Sequence, residues 1–217
     1  MRRCQICDVT LGAWRRCPNF WCGRDDRGWD VAWAVAEHRG RVRDAIAALK
    51  YGGDRSQVAS LAGLLARYVL AHAAVFDEVD LIVPVPSNVG RRRTFDPIGA
   101  VCAAAAPVHE LWPVAGPGEV VAKAYETRPL ADAPTAAARR LWAAVELRPA
   151  LVVADAVAVR GRRVLAVDDV FTDGSTLREV AGLLRGAGAR AVSGLVLARR
   201  PVLPPGAPIA GSARTAW

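Results

Sequence analysis

The spacing of apolar positions changes period several times along the chain, and each change marks an element. Residues 29–37 (WDVAWAVAE) alternate large and small side chains, the period-two pattern of a strand. Val42 to Lys50 places Val42, Ile46 and Leu49 on one helical face and stops at Gly52-Gly53. Ser56 to Ala74 follows as a longer helix, with Leu61, Leu64, Leu65, Val69 and Leu70 at helical spacing. Val79 to Val85 is then a short apolar strand closed by the turn cluster Pro86-Ser87-Asn88-Val89-Gly90. Beyond it the pattern predicts a helix over 96–106, a strand over 119–124 and a helix over 134–146. Val152 to Val159 fits a strand or a loop. A strand over 163–167, a helix over 174–186 and a last strand over 191–198 complete the series.

Strands alternating with helices predict an α/β fold with a parallel sheet covered on both faces. Four regions follow: a cysteine-rich module at 1–28, a helical connecting region packed on the core at 29–78, the main α/β domain at 79–200, and a proline-marked loose tail at 201–217. At 217 residues the chain is long enough for a full core with a small appendage. No run approaches the ~18 consecutive apolar residues of a membrane span. The N-terminus opens on arginines and cysteines rather than an apolar leader, so a cytoplasmic protein without membrane insertion is expected.

The chemistry concentrates in residues 164–176, VLAVDDVFTDGST. In a doubly wound sheet ligands bind beyond the carboxyl ends of the strands. There the strand delivers Asp168 and Asp169, and Thr172, Asp173, Gly174, Ser175 and Thr176 form a tight loop opening a helix. A helix N-terminus offers free N–H groups and a positive dipole end to phosphate, and Gly174 allows close backbone approach. Two adjacent acids would repel phosphate but suit a diol, so the pair with the loop points to a sugar phosphate. A single aspartate after an apolar strand also describes the magnesium aspartates of nucleotide hydrolases. The chain has no G-x-x-x-x-G-K-[ST] to accompany one.

Of five cysteines, Cys4, Cys7, Cys17 and Cys22 fall within 19 residues, as C-x2-C and C-x4-C. Four thiolates from two short turns suit a structural zinc ion, which would supply folding energy to a segment too short for its own core. Reduced cysteines in a loop, or a redox pair, are the alternative. Cys102, in an alanine-rich helix, reads as a core residue.

The 164–176 segment resembles the phosphoribosyltransferase signature of four apolar residues, two acids and a T-T-G-x-T loop. The resemblance implies the type I phosphoribosyltransferase fold. It gives Asp168 and Asp169 to the ribose hydroxyls and Thr172, Asp173, Gly174, Ser175 and Thr176 to the 5′-phosphate, with phosphoribosyl pyrophosphate and magnesium as ligands. Asp173 stands where that family has threonine. Over most of its length the chain is similar to the ComF subgroup, linked to DNA uptake in bacteria: a four-cysteine zinc module, then Leu49-Lys50-Tyr51-Gly52-Gly53-Asp54, then Ile82-Val83-Pro84-Val85-Pro86 before Arg91-Arg92-Arg93. Typical members read R-G-F-N after the arginines, and here Arg93-Thr94-Phe95-Asp96 keeps Arg93 and Phe95.

Within that frame the turn after Val85 binds pyrophosphate through Ser87, Asn88 and Val89, with Arg93 as a nearby cation; an ordinary proline turn and a solvated charge run are the bland readings. Lys123 and Arg128 are candidates to clamp pyrophosphate. Lys50 is another candidate, or simply a cation at a helix C-terminus. The formal charge of +8 invites polyanions, yet 27 arginines against two lysines also fits coding bias in a GC-rich genome. Trp14, Trp21, Trp29 and Trp33 near the cysteines would stack single-stranded bases or pack around the metal. His38, His72 and His109 have no spacing that suggests a site. Two functions from different classes remain: phosphoribosyl transfer to a nitrogen acceptor, and a non-catalytic competence factor contacting single-stranded DNA or a DNA-uptake protein.

Overall fold

The computed structural model describes residues 2–12, 14–87 and 95–201. In chain order its elements are β1 (Ala32–Glu37), α1 (Gly40–Lys50), α2 (Gln57–Ala71), α3 (Ala73–Phe76), β2 (Leu81–Pro84), α4 (Pro97–Ala104), α5 (Ala106–His109), β3 (Val121–Lys123), α6 (Ala136–Trp142), α7 (Arg148–Ala150), β4 (Leu151–Val153), β5 (Arg163–Phe171), α8 (Ser175–Gly186) and β6 (Ala191–Arg199). Among the described residues, β1, β6, β5 and β2 form one sheet in that order with every pairing parallel. The expected parallel sheet flanked by helices is therefore present. Residues 29–78 supply an edge strand of it as well as helices.

Two apolar clusters cover the faces, and the period-two alternation of the strands sorts side chains between them. Val164, Ala166, Val192 and Val196 point to a face covered by α8 through Leu177, Val180, Ala181 and Leu184. Leu165, Val167, Leu195 and Leu197 point to the other, covered by α1, α2 and α4 through Ile46, Leu49, Leu61, Leu65, Ile98 and Val101. Cys102 is buried there too. A small antiparallel ribbon, β3 with β4, stands apart from the sheet.

Several elements differ from the sequence expectation. β5 runs to Phe171 rather than Val167, because β6 continues alongside it to Arg199 and Phe171 packs edge-on against Trp29. The helix expected over 56–74 breaks at His72, whose backbone leaves the helical region (φ −118°, ψ 27°). The segment expected as one helix over 134–146 is α6 followed by a π-helical turn at Ala143–Leu147 and the short α7. Of the 152–159 segment only the first residues are strand, paired with β3.

The four-cysteine cluster at the N-terminus fits the expected small metal-binding knob, and this knob packs onto the domain. Cys7, Val9, Leu11 and Trp21 join the apolar cluster on the α8 face. Its backbone also meets the edge of the sheet, Ala32 N donating to Ile6 O at 2.8 Å. No helix among the described residues is long and apolar enough to cross a membrane.

Candidate functional site

β5 carries Asp168 and Asp169 to the carboxyl edge of the sheet, and the chain then turns into α8. The turn depends on Gly174, which has φ +90°. A Cβ there would lie 2.8 Å from Trp29 and 2.9 Å from Phe171, so both conformation and packing exclude other residues. The loop also makes polar contacts. Asp173 Oδ1 accepts from Ser175 N at 3.0 Å, and Asn19 Nδ2, from the cysteine module, donates to the Asp173 carbonyl at 2.9 Å. Ser175 is 1% exposed, and its Oγ has no hydrogen-bond partner within the protein. A buried hydroxyl without a partner at a helix N-terminus is an opening for a ligand acceptor.

Loop and acids line one cleft of about 450 Å³. Thr172 to Thr176, Asp168, Asp169, Ser87, Lys123 and Arg128 all contribute to it, so the structure brings these sequence candidates together. Asn88, Val89 and Arg93 lie outside the described residues. Lys50, His38, Arg139 and Arg200 also line the cleft. The chain's two lysines are both there, a signal the arginine-heavy composition makes conspicuous in retrospect. His38, Arg139 and Arg200 carried no comparable sequence signal, since each reaches the cleft through a non-local turn of the fold.

Adjacent strand residues face opposite ways, and this divides the acids. Asp169 turns toward α1, where Lys50 Nζ donates to its Oδ2 in an ion pair. Burial opposes the Lys50 charge, but attraction from Asp169 and then Asp168 outweighs it and holds the lysine above its ordinary value. Asp168 lies toward the β3 side. Burial, then repulsion from Asp169, pushes its carboxyl up to about 7. Lys123, at the end of β3, donates to Thr127 Oγ1 at 3.3 Å. Burial pushes Lys123 down to about 8; Asp168 resists that shift and Lys50 assists it. His38 is likewise pushed down, by burial and then by Arg200. Arg128 is committed elsewhere, bonded to Glu146 and stacked over Trp142 with its guanidinium 4.2 Å from the ring centroid.

The four module cysteines form a second cluster. Their sulfur atoms all lie within 4.8 Å of one another, and Cys7 and Cys17 are 3.6 Å apart. Tetrahedral zinc with ~2.3 Å bonds sets its sulfurs ~3.8 Å apart, so the donor set fits a structural ion such as zinc. Hydrogen bonding with Cys22 pulls the Cys7 thiol down to about 5, against its burial, while Cys22 is pushed up by the same contact. Three of the four tryptophans near the cluster are packing residues: Trp21 and Trp29 are buried, and Trp33 packs on Phe76 at 5.2 Å. Phe20 is the exposed ring of the module, and the guanidinium of Arg140 lies 4.1 Å from its centroid.

Residues 123–204 match the family model described as a phosphoribosyl transferase domain. The match begins at Lys123 and takes in β4, β5, the loop, α8 and β6. No curated protein matches the chain.

Proposed function

We propose that the cleft binds phosphoribosyl pyrophosphate and that its chemistry is phosphoribosyl transfer to a nitrogen acceptor. The observation that carries this is the convergence, in one cleft inside the matched segment, of an acid pair with a helix-terminal loop that holds the buried, unpartnered Ser175 hydroxyl. The 5′-phosphate sits on the loop, taking the backbone N–H groups and the Ser175 and Thr176 hydroxyls. The ribose 2′- and 3′-hydroxyls donate to Asp168 and Asp169. Lys123 and Ser87, which line the cleft, face the pyrophosphate, and Asn88, Val89 and Arg93 are assigned to the same group from the sequence resemblance alone.

In the transfer, the bond from C1 to the pyrophosphate oxygen breaks with its electron pair leaving on oxygen, and an acceptor nitrogen bonds to C1 and sheds a proton. The protein contributes positioning and charge: Lys123 neutralises the departing oxygens, and the acids stabilise a ribose that turns cationic at C1. Asp168, Asp169 and the pyrophosphate offer the hard oxygen donors magnesium takes, and the ion would supply further neutralisation. The four cysteines hold zinc as a structural ion.

The test is a melting curve with magnesium and phosphoribosyl pyrophosphate at millimolar concentration. Stabilisation is expected, and it disappears when Asp168→Asn and Asp169→Asn are combined. An unchanged melting temperature in the wild type ends the reading. Release of pyrophosphate with an added base then separates turnover from binding alone.

A second reading, a ComF-type competence factor contacting single-stranded DNA, is favoured by one observation: the Phe20 ring, 46% exposed and flanked by Arg140 and Arg24. Aromatic rings set among arginines are stacking platforms for bases. It predicts salt-sensitive binding of single strands that Phe20→Ala weakens about tenfold. Binding indifferent to that substitution removes the observation's support.

A further inference from the structure

The loop that offers its donors to phosphate already holds an anion. Asp173 Oδ1 takes the Ser175 N–H, in the first turn of α8, at 3.0 Å. Its other oxygen, Oδ2, is buried and accepts no hydrogen bond, and it stands 3.8 Å from Arg139 NH1. Both side chains are 14% exposed, so water screens the pair weakly. Arg139 is anchored from behind, its Nε donating to Leu130 O at 3.1 Å. Asn19 fixes the Asp173 carbonyl and Gly174 admits no side chain, so the backbone on either side of the carboxylate is held while the carboxylate itself has two possible partners.

We propose that Asp173 is a built-in competitor for the phosphate of the ligand, with Arg139 as the partner that receives it on displacement. With the cleft empty of phosphate, the carboxylate satisfies the Ser175 N–H and the positive end of α8. An arriving phosphate ester takes that N–H, and the carboxylate closes the remaining distance to Arg139. The exchange lowers affinity for the dianion and makes it depend on a residue outside the loop. No bond is made or broken, and the loop backbone stays in place. The inference rests on the phosphate-ester reading of this loop and adds what sets its strength.

Calorimetric titration of ribose 5-phosphate tests it, with the amide resonances of Gly174 and Ser175 reporting the place of binding. Asp173→Asn keeps an oxygen for the Ser175 N–H and removes the charge; it should bind about tenfold tighter than wild type. Asp173→Thr should give a gain of the same sign, so one misfolded variant does not decide the matter. Arg139→Gln should bind about tenfold weaker, and adding Asp173→Asn to it should restore affinity. If wild type binds at the loop but neither Asp173 variant binds tighter, the competitor role is wrong and the phosphate site survives. If ribose 5-phosphate moves neither amide in wild type nor in any variant at millimolar concentration, the phosphate reading falls and the competitor role falls with it.

Discussion

Asp168 and Asp169 each face a lysine, and the two corners of the cleft treat the same pair of charges differently. At the α1 corner, Asp169 is 6% exposed and bonded directly to Lys50, and the lysine is held above its ordinary value. At the β3 corner, burial dominates both partners. Asp168 is raised to about 7 and Lys123 lowered to about 8, so each is within about a unit of changing charge near neutral pH. The first corner is satisfied by the protein itself. At the second, burial opposes the charge on both groups, and a ligand anion would favour the charged lysine. Strand alternation is the cause: consecutive residues must face different layers, and the layers supply different neighbours.

The largest expected effect comes from breaking the committed corner. Lys50→Met leaves the Asp169 carboxylate buried without its cation, which costs about 2–4 kcal/mol of stability at neutral pH, reduced from a fully buried pair because Lys50 keeps some exposure. Urea unfolding measures it. Adding Asp169→Asn should recover much of the loss. A Lys50→Met cost below about 0.5 kcal/mol would mean that the two corners do not differ in the way described.

Asp168 gives the next effect, through pH. Its folded value is raised from 3.8 to about 7. The stability it contributes is therefore complete below the unfolded value and is lost as pH rises through about 7. Asp168→Asn removes that decline, so the variant's advantage grows from near zero at about pH 4 to about 1–3 kcal/mol at about pH 8. Unfolding midpoints across that range give the curve, and a difference that stays level with pH contradicts it.

Lys123 should act with the opposite sign to Lys50. Its folded value is depressed from 10.5 to about 8, so its contribution is present above the unfolded value and lost as pH falls through about 8. At about pH 7, Lys123→Met should stabilise the protein by about 1 kcal/mol while halving or abolishing the melting shift produced by phosphoribosyl pyrophosphate. Destabilisation by this substitution would place Lys123 with Lys50 as a structural cation.

How much of this was legible in sequence depended on the range of the interaction. The β5–loop–α8 unit was readable because its signals are local: an apolar run, two acids, a glycine where φ is positive, then helical spacing. The four cysteines were readable for the same reason, and their sulfurs do converge. The Lys50–Asp169 pair spans 119 positions, and a lysine ending a helix already has a local explanation in the dipole. Arg139 was equally hidden, since α6 brings it to Asp173 only through the fold. The reach of β5 to Phe171 was missed because polar Asp168 and Asp169 look like a strand's end. They remain in the strand because β6 continues to pair beside them, and because each also caps a neighbouring backbone N–H, Asp168 Oδ1 that of Asp169 and Asp169 Oδ1 that of Val170.

The smallest effect is the sharpest comparison, because the chain has only two lysines. Lysine labelled with carbon-13 at Cε should give two resonances, one for each corner, assigned by Lys50→Met and Lys123→Met. The Lys123 signal should titrate near 8, while the Lys50 signal should titrate above its ordinary value of 10.5. Pyrophosphate bound beside Lys123 favours its charged form, so phosphoribosyl pyrophosphate should raise that midpoint by about one unit and leave Lys50 unchanged. Coincident titrations would show that the two corners share one environment. A ligand-induced shift at Lys50 instead of Lys123 would move the pyrophosphate to the α1 side and reverse the roles of the two acids.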